Sequence, residues 1–228
     1  MPSHLIQGFQ ESPQLKASSD GTEMEERNAI SILDYGSGNI RSAQRALERV
    51  GLEVEVTSDF EKALESSGLV VPGVGAFGSC MNQLRAVRGD EVIRARFKSD
   101  RPILGICVGM QVLFAGSEES KEEGLAILQN KVFKLAAPIL PHIGWNEVAE
   151  VAPLQLLKGI NAERFYFVHS YAAREVSGDA KTAIANYGED FIAAVELGSL
   201  SAVQFHPEKS GDVGLQLLKN WAEHHLVS

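Results

Sequence analysis

Apolar and polar positions change period several times along the chain, and each change marks an element. Ala29-Ile-Ser-Ile-Leu-Asp34 is a short β-rich run that ends in a glycine-rich turn, Tyr35-Gly-Ser-Gly38. Ile40, Ala43, Leu47 and Val50 then recur at helical spacing, and Gly51 stops that helix. Glu53 to Thr57 alternates like a strand. Asp59 reads as the N-cap of a helix reaching about Ser67. Leu69-Val-Val71 predicts a buried strand ending in Pro72-Gly-Val-Gly75, and Arg101-Pro-Ile-Leu-Gly-Ile106 predicts another, running straight into a helix from Val108.

Strands that alternate with helices imply parallel βαβ units. Beyond about residue 130 the pattern shortens. Strands are expected at 131–135, 164–168, 181–186, 190–196 and 200–205, several of them antiparallel. A last helix over roughly 211–225 carries Leu215, Leu218, Trp221 and Ala222 on one face. With no internal repeat and no linker, residues 29–228 read as one α/β domain with a mixed, mostly parallel sheet. Residues 1–28 are polar, without period or apolar core, and read as a disordered extension rather than a secretory signal. Met24 is a second possible start.

Composition narrows the function classes. The 228 residues suffice for a real core, and 44% hydrophobic with 22% charged residues is ordinary for a globular chain. No apolar run reaches the roughly 18 residues of a spanning helix, so no membrane role is expected. A net charge of −9 argues against a nucleic-acid-binding face. Two cysteines make no disulfide framework, so a reducing, cytoplasmic setting is expected.

One of those cysteines stands in a reactive pattern. Gly105-Ile-Cys107-Val-Gly109 has the form Gly-x-nucleophile-x-Gly between a predicted strand and helix, a sharp elbow with the nucleophile at its tip. A thiol at a helix N-terminus is acidified, and the N–H of Val108 would face an oxyanion on the attacked carbonyl. Cys80 has no such setting and reads as structural.

A nucleophilic thiol needs a base, and the base needs an orienting group. His4, His224 and His225 fall in the tail and at the C-terminus and read as solvated, leaving His142, His169 and His206. His206 is the strongest candidate. It ends the strand Ser201–Phe205, and Glu208 lies two residues on, on the same side of an extended backbone. Pro72-Gly-Val-Gly-Ala-Phe-Gly78 is either an ordinary glycine turn or a second source of oxyanion N–H donors. Without a following Gly-Lys-Ser/Thr it is a poor phosphate loop.

Together these segments resemble the class I (triad) glutamine amidotransferases. Gly105-Ile-Cys-Val-Gly-Met-Gln111 and Gln204-Phe-His-Pro-Glu208 carry the superfamily pattern, in the order Cys, His, Glu. Asp34-Tyr-Gly-Ser-Gly-Asn39, Pro141-His-Ile-Gly-Trp-Asn146, Tyr166-Phe-Val-His-Ser-Tyr171 and His206-Pro-Glu-Lys-Ser210 narrow it to the glutaminase subunits of imidazole glycerol phosphate synthases. The likeness covers about residues 29–226. It implies a three-layer, flavodoxin-like fold and hydrolysis of L-glutamine to glutamate and ammonia, without cofactor or metal. It also implies a (β/α)₈-barrel cyclase partner that uses the ammonia in histidine biosynthesis, in a heterodimer.

Roles follow from the same resemblance. Cys107 is the nucleophile, His206 the base and Glu208 its orienter. Gly75 and Val108 supply the oxyanion N–H groups. Gln111 contacts glutamine, and Glu119 with the Ser170–Tyr171 backbone holds its α-groups. Trp145 and Lys209 face the partner. Bland alternatives stand beside three of these: Trp145 in the core, Gln111 as a cap, Lys209 as a solvated charge. The chain departs from the family pattern at Val108, where Leu is usual, and at Ile143, where Met is common. A subunit of another pathway with a related barrel, a module that has lost activity, and a thiol peptidase are the rival readings.

Overall fold

The computed structural model describes residues 29–226. The expected extension over residues 1–28 lies outside the described residues. In chain order the strands are β1 (Ile30–Leu33), β2 (Val54–Thr57), β3 (Gly68–Gly73), β4 (Ile103–Cys107), β5 (Phe114–Ser117), β6 (Leu128–Lys134) and β7 (His142–Glu147). They continue with β8 (Ala149–Glu150), β9 (Arg164–His169), β10 (Tyr171–Ala173), β11 (Lys181–Tyr187), β12 (Glu189–Leu197) and β13 (Leu200–Val203). The helices are α1 (Ile40–Arg49), α2 (Phe60–Glu65), α3 (Phe77–Ala86), α4 (Gly89–Lys98), α5 (Val108–Gln111) and α6 (Gly211–His225).

Every residue of β1, β3, β4 and β13 is buried. Strands with no polar face need cover on both sides, and helices supply it. α1 packs on α6, and α4 packs on α2 and α3. The central sheet runs β2-β1-β3-β4-β13-β12-β11-β8. Its first five strands are mutually parallel, and its last three pair antiparallel. This is the mixed, mostly parallel sheet with flanking helices that the pattern predicts. A three-stranded sheet, β10-β6-β5, and a ribbon, β7-β9, stand beside it.

Local signals act where expected. Asp59 caps α2, its carboxylate accepting from the Lys62 N–H at 2.9 Å. Gly51 ends α1 with φ 89°. Arg96 on α4 has no solvent exposure and donates to the carbonyls of Leu64 and Ser66 at the end of α2, and of Pro102 before β4. A guanidinium there satisfies carbonyls that the helix end leaves open.

Four expectations need correction. The helix after Cys107 is a single turn, because the chain is drawn at Phe114 into β5, which pairs with β6. The strand expected over 200–205 ends at Val203, with one last ladder bond from the Gln204 N–H to Ala193 O at 2.8 Å. Leu215 is only half-buried; α6 packs through Gly214, Leu217, Leu218 and Trp221. His225 is not simply solvated: its Nε2 lies 3.3 Å from Ser201 Oγ, and burial pushes it down to about 4. The pattern makes no prediction for α3 and α4. The first turn of α3, Phe77-Gly-Ser-Cys80, has weak helix propensity, and burial of Phe77, Cys80, Met81 and Leu84 holds it instead.

Among the described residues, no helix is long and apolar enough to cross a membrane.

Candidate active site

Register places the chemistry. Gly73 at the end of β3 pairs with Cys107 at the end of β4, and Val203 at the end of β13 pairs with Ile106. Three carboxyl-terminal strand ends therefore meet, bringing the 72–75 loop, Cys107 and the segment around His206 to one edge of the sheet. Such edges are where open α/β sheets hold ligands.

The elbow is strained and tightly fitted. Cys107 has φ 55° and ψ −112°, a backbone region that side chains rarely occupy. Gly109 must be glycine: a Cβ there would sit 1.8 Å from the Val71 carbonyl oxygen. Close approach to β3 is thus what turns the chain back. Cys107 is 3% exposed, and Gln204 Nε2 donates to its sulfur at 3.7 Å. Because α5 spans only Val108–Gln111, the long-helix dipole expected behind the thiol is absent.

His206 and Glu208 form the second half. Nδ1 of His206 lies 2.7 Å from Glu208 Oε1, and both side chains are 1% exposed. The reach does not come from strand alternation: Pro207–Lys209 is a 3₁₀ turn that folds the carboxylate back to the ring. Asn39 Nδ2 donates to the same Oε1. The backbone of His206 is tied down too, its N–H donating to Tyr166 O at 2.9 Å and its carbonyl accepting from Ser210 Oγ at 2.6 Å. Burial opposes charge on the ring, but Cys107 and Glu208 outweigh it and push His206 up to about 9. Nε2 of His206 and Oε2 of Glu208 are buried with no hydrogen-bond partner among the described residues.

Beside this pair opens a cavity of about 510 Å³. Gly75, Cys107, Val108, Gln111, Glu119, Ser170, Tyr171, His206 and Lys209 all line it. Glu208 stands behind His206, and Trp145 lies outside the lining. The glycine loop is held by side chains: Tyr35 and Ser37 hydroxyls donate to Pro72 O at 2.5 and 3.0 Å. The Cys80 thiol, pushed up to about 11 by burial, donates to Val74 O at 3.3 Å. Gly75 has φ +91° and nothing near its missing Cβ, a backbone conformation that glycine takes without strain. Gln111 is buried and no mere cap; its amide donates to Tyr171 O at 2.9 Å and Gln204 Oε1 at 3.0 Å. Glu119 Oε2 accepts from the Phe77 N–H at 2.7 Å.

Trp145 is 48% exposed on β7, not in the core, with Ile143 at 60% beside it. Its ring meets Tyr166 edge-on at 6.2 Å, and Lys209 Nζ lies 6.0 Å from the Tyr166 ring centre. His142 and His169, the other base candidates, are buried against each other with Nδ1 to Nε2 at 3.1 Å. Burial pushes them down to about 4 and about 3. Asn39 and Gln204 are site residues with no assigned role in the sequence reading. Gln204 had a legible signal: it stands two positions before His206 at the end of a strand. Asn39 had only its place in the Asp34–Asn39 segment, and its partner was hidden, since only the fold brings it across 169 positions to Glu208.

Comparison with known proteins identifies the family. The model of the glutamine amidotransferase class-I family matches residues 31–224. The imidazole glycerol phosphate synthase subunit HisH of Mycobacterium bovis is 53% identical over 200 residues, covering 86% of this chain and 97% of that relative. The HisH subunit of Nocardia farcinica is 53% identical over 207 residues, covering 86% and 98%. Among solved structures, a glutamine amidotransferase superposes with TM-score 0.69 at 20% identity, over 86% of this chain and all of that one. A glutamine amidotransferase of Thermotoga maritima superposes with TM-score 0.64 at 15% identity, covering 89% and 99%. At such identities the structures speak for the fold; the sequence relatives carry the rest. The chain belongs to the class-I glutamine amidotransferase family, on the branch of the HisH subunits of imidazole glycerol phosphate synthase.

Proposed function

We propose that this chain hydrolyses L-glutamine and hands the ammonia to a cyclase subunit that makes imidazole glycerol phosphate and aminoimidazole carboxamide ribotide for histidine. The observation that carries the reading is the joint placement of Cys107 and His206 on one cavity, with Glu208 2.7 Å behind the ring, in a chain 53% identical to HisH subunits.

The chemistry follows from the groups. Cys107 gives its proton to His206 Nε2, where the raised affinity of the ring keeps it, and Sγ attacks the side-chain amide carbon. Glu208 fixes the tautomer and stabilises the imidazolium. N–H groups of Gly75 and Val108 stabilise the tetrahedral oxyanion. The C–N bond breaks as His206 returns the proton to the leaving ammonia. Water, deprotonated by His206, then cleaves the glutamyl thioester and restores the thiol. Gln111, Glu119 and the Ser170–Tyr171 backbone hold glutamine, and Trp145 with Lys209 meets the cyclase.

The glycine loop gives this reading a control point. If the peptide before Gly75 turns its carbonyl inward, one oxyanion donor is lost, at a cost of roughly 100- to 1,000-fold in turnover. The test is glutamate release by the chain alone, with the cyclase, and with cyclase plus its nucleotide. Release is expected to rise steeply in the third case. Equal turnover in all three removes the switch; no release in any removes the glutaminase reading.

A further inference from the structure

Two buried histidines are left over by this chemistry. His142 on β7 stands directly opposite His169 at the end of β9 in an antiparallel pair, so both rings project from one face. His142 stacks on Tyr187 at 4.0 Å and on Phe167 at 5.0 Å, and His169 meets Phe191 edge-on at 5.0 Å.

Their hydrogen bonds form a directed chain. His169 Nδ1 lies 3.0 Å from Tyr171 O, and a carbonyl only accepts, so that nitrogen carries the proton. In a neutral ring Nε2 then accepts, and it faces His142 Nδ1 at 3.1 Å, which therefore donates. His142 Nε2 is left as an acceptor, 3.4 Å from Asn146 Nδ2. The Asn146 amide has only one orientation: Nδ2 donates to Asn186 O at 2.8 Å, and Oδ1 accepts from the Glu147 N–H at 2.9 Å. Every position in the chain is thus assigned from its two ends, and a charge on either ring would set two donors face to face. Burial keeps both rings neutral, and the nearby His206 opposes charge on His169 as well.

The chain joins two places that matter. At one end is the Tyr171 carbonyl, which also accepts from Gln111. At the other is β7, whose opposite face presents the exposed Ile143 and Trp145. We infer that His142 and His169 are positioning residues, a hydrogen-bonded pair that sets the Ser170–Tyr171 segment for glutamine and ties it to the strand carrying Trp145. The inference rests on the proposed glutaminase reading, in which that segment holds the substrate.

The test uses the full chain with its cyclase and nucleotide. His142→Phe keeps the ring stack and removes both bonds; His142→Asn keeps a donor where Nδ1 was. His142→Phe is expected to raise KM for glutamine roughly 3- to 10-fold, the weight of one or two hydrogen bonds, with kcat changed less than about twofold. His142→Asn is expected to restore KM to within about twofold of the unaltered chain. An unchanged KM in His142→Phe, an effect confined to kcat, or an equal rise in both variants overturns the inference. Nitrogen-15 NMR of the unaltered protein tests it apart from catalysis. Both rings are expected to be neutral with the proton on Nδ1 from pH 7 to pH 5. Protonation in that range, or a proton on Nε2, overturns the chain even where glutamine is hydrolysed normally. Absence of any glutamate release from the unaltered complex, with the NMR as expected, refutes the glutaminase reading instead.

Discussion

Two neighbouring regions bury imidazoles and treat them in opposite ways. At the carboxyl-terminal edge of the parallel strands, His206 is 1% exposed yet is pushed up to about 9. In the β7–β9 ribbon, His142 and His169 are buried and pushed down to about 4 and about 3. Burial disfavours charge in both places, so burial does not decide the outcome. The partners do. His206 has a carboxylate at 2.7 Å and a thiol beside it, groups that reward a proton on the ring. The ribbon pair is bonded to a carbonyl, an amide and each other, and stacked on aromatic rings. One arrangement holds a proton on the ring between a carboxylate and a thiol; the other holds a fixed pattern of donors and acceptors.

The largest effect expected is at the nucleophile. Cys107→Ser should lower glutamate release by roughly a thousandfold or more, because a hydroxyl beside the same base ionises far less readily. Synthesis from added ammonium by the complex should survive. Near-normal glutamine turnover would remove the first region from the chemistry altogether.

His206→Asn should be almost as severe, whereas Glu208→Gln should cost less, roughly 10- to 100-fold, since the carboxylate orients and stabilises but transfers no proton. Glu208→Gln should also lower the His206 pKa from about 9, visible by NMR titration. An unmoved titration would mean that the carboxylate is not what separates the two regions.

The next contrast is in stability against pH. The ribbon histidines bind protons more tightly unfolded, at the ordinary value near 6.5, than folded. Stability is therefore lost as pH falls from about 6.5 through about 4 for His142 and about 3 for His169. His206 binds its proton more tightly when folded, so its contribution is complete below 6.5 and lost as pH rises to about 9. Melting temperature should peak between these limbs. His206→Asn should flatten the alkaline limb and His142→Phe the acid one; the reverse assignment would contradict the comparison.

The smallest effect is expected at the ribbon's outer face. Trp145→Ala removes a half-exposed ring, so melting of the isolated chain should shift little, by less than about 1 kcal/mol. Stimulation of glutamate release by the cyclase should fall instead. A large loss of intrinsic stability would make Trp145 a packing residue.

The candidate catalytic pattern was legible because it is local. Gly105 and Gly109 bracket Cys107 within five residues, and His206 and Glu208 are two apart. The strands β1, β3 and β4 were legible because sheets covered on both faces read as unbroken apolar runs. Weak local signals hid α3, whose helicity depends on what Phe77 and Leu84 bury against, whereas α4 had a legible one in Asp90 and Glu91 at its first turn and Arg96 and Lys98 at its last.

By itself, the sequence determined the alternation of strand and helix, the thiol elbow and, through resemblance, the glutamine amidotransferase family, and it singled out His206 as the candidate base. Only the tertiary structure decided the rest. It cut the helix after Cys107 to one turn, delivered Glu208 through a 3₁₀ turn rather than an extended strand, and brought Asn39 to that carboxylate and Gln204 to the sulfur. It also brought His142 and His169, two candidate bases, together as a buried pair within a hydrogen bond of each other. The reason is physical: a residue's type and its near neighbours carry its chemistry, but its charge state and partners are set by groups tens to hundreds of positions away. Only the register of β3, β4 and β13, and of β7 on β9, brings those groups within a hydrogen bond.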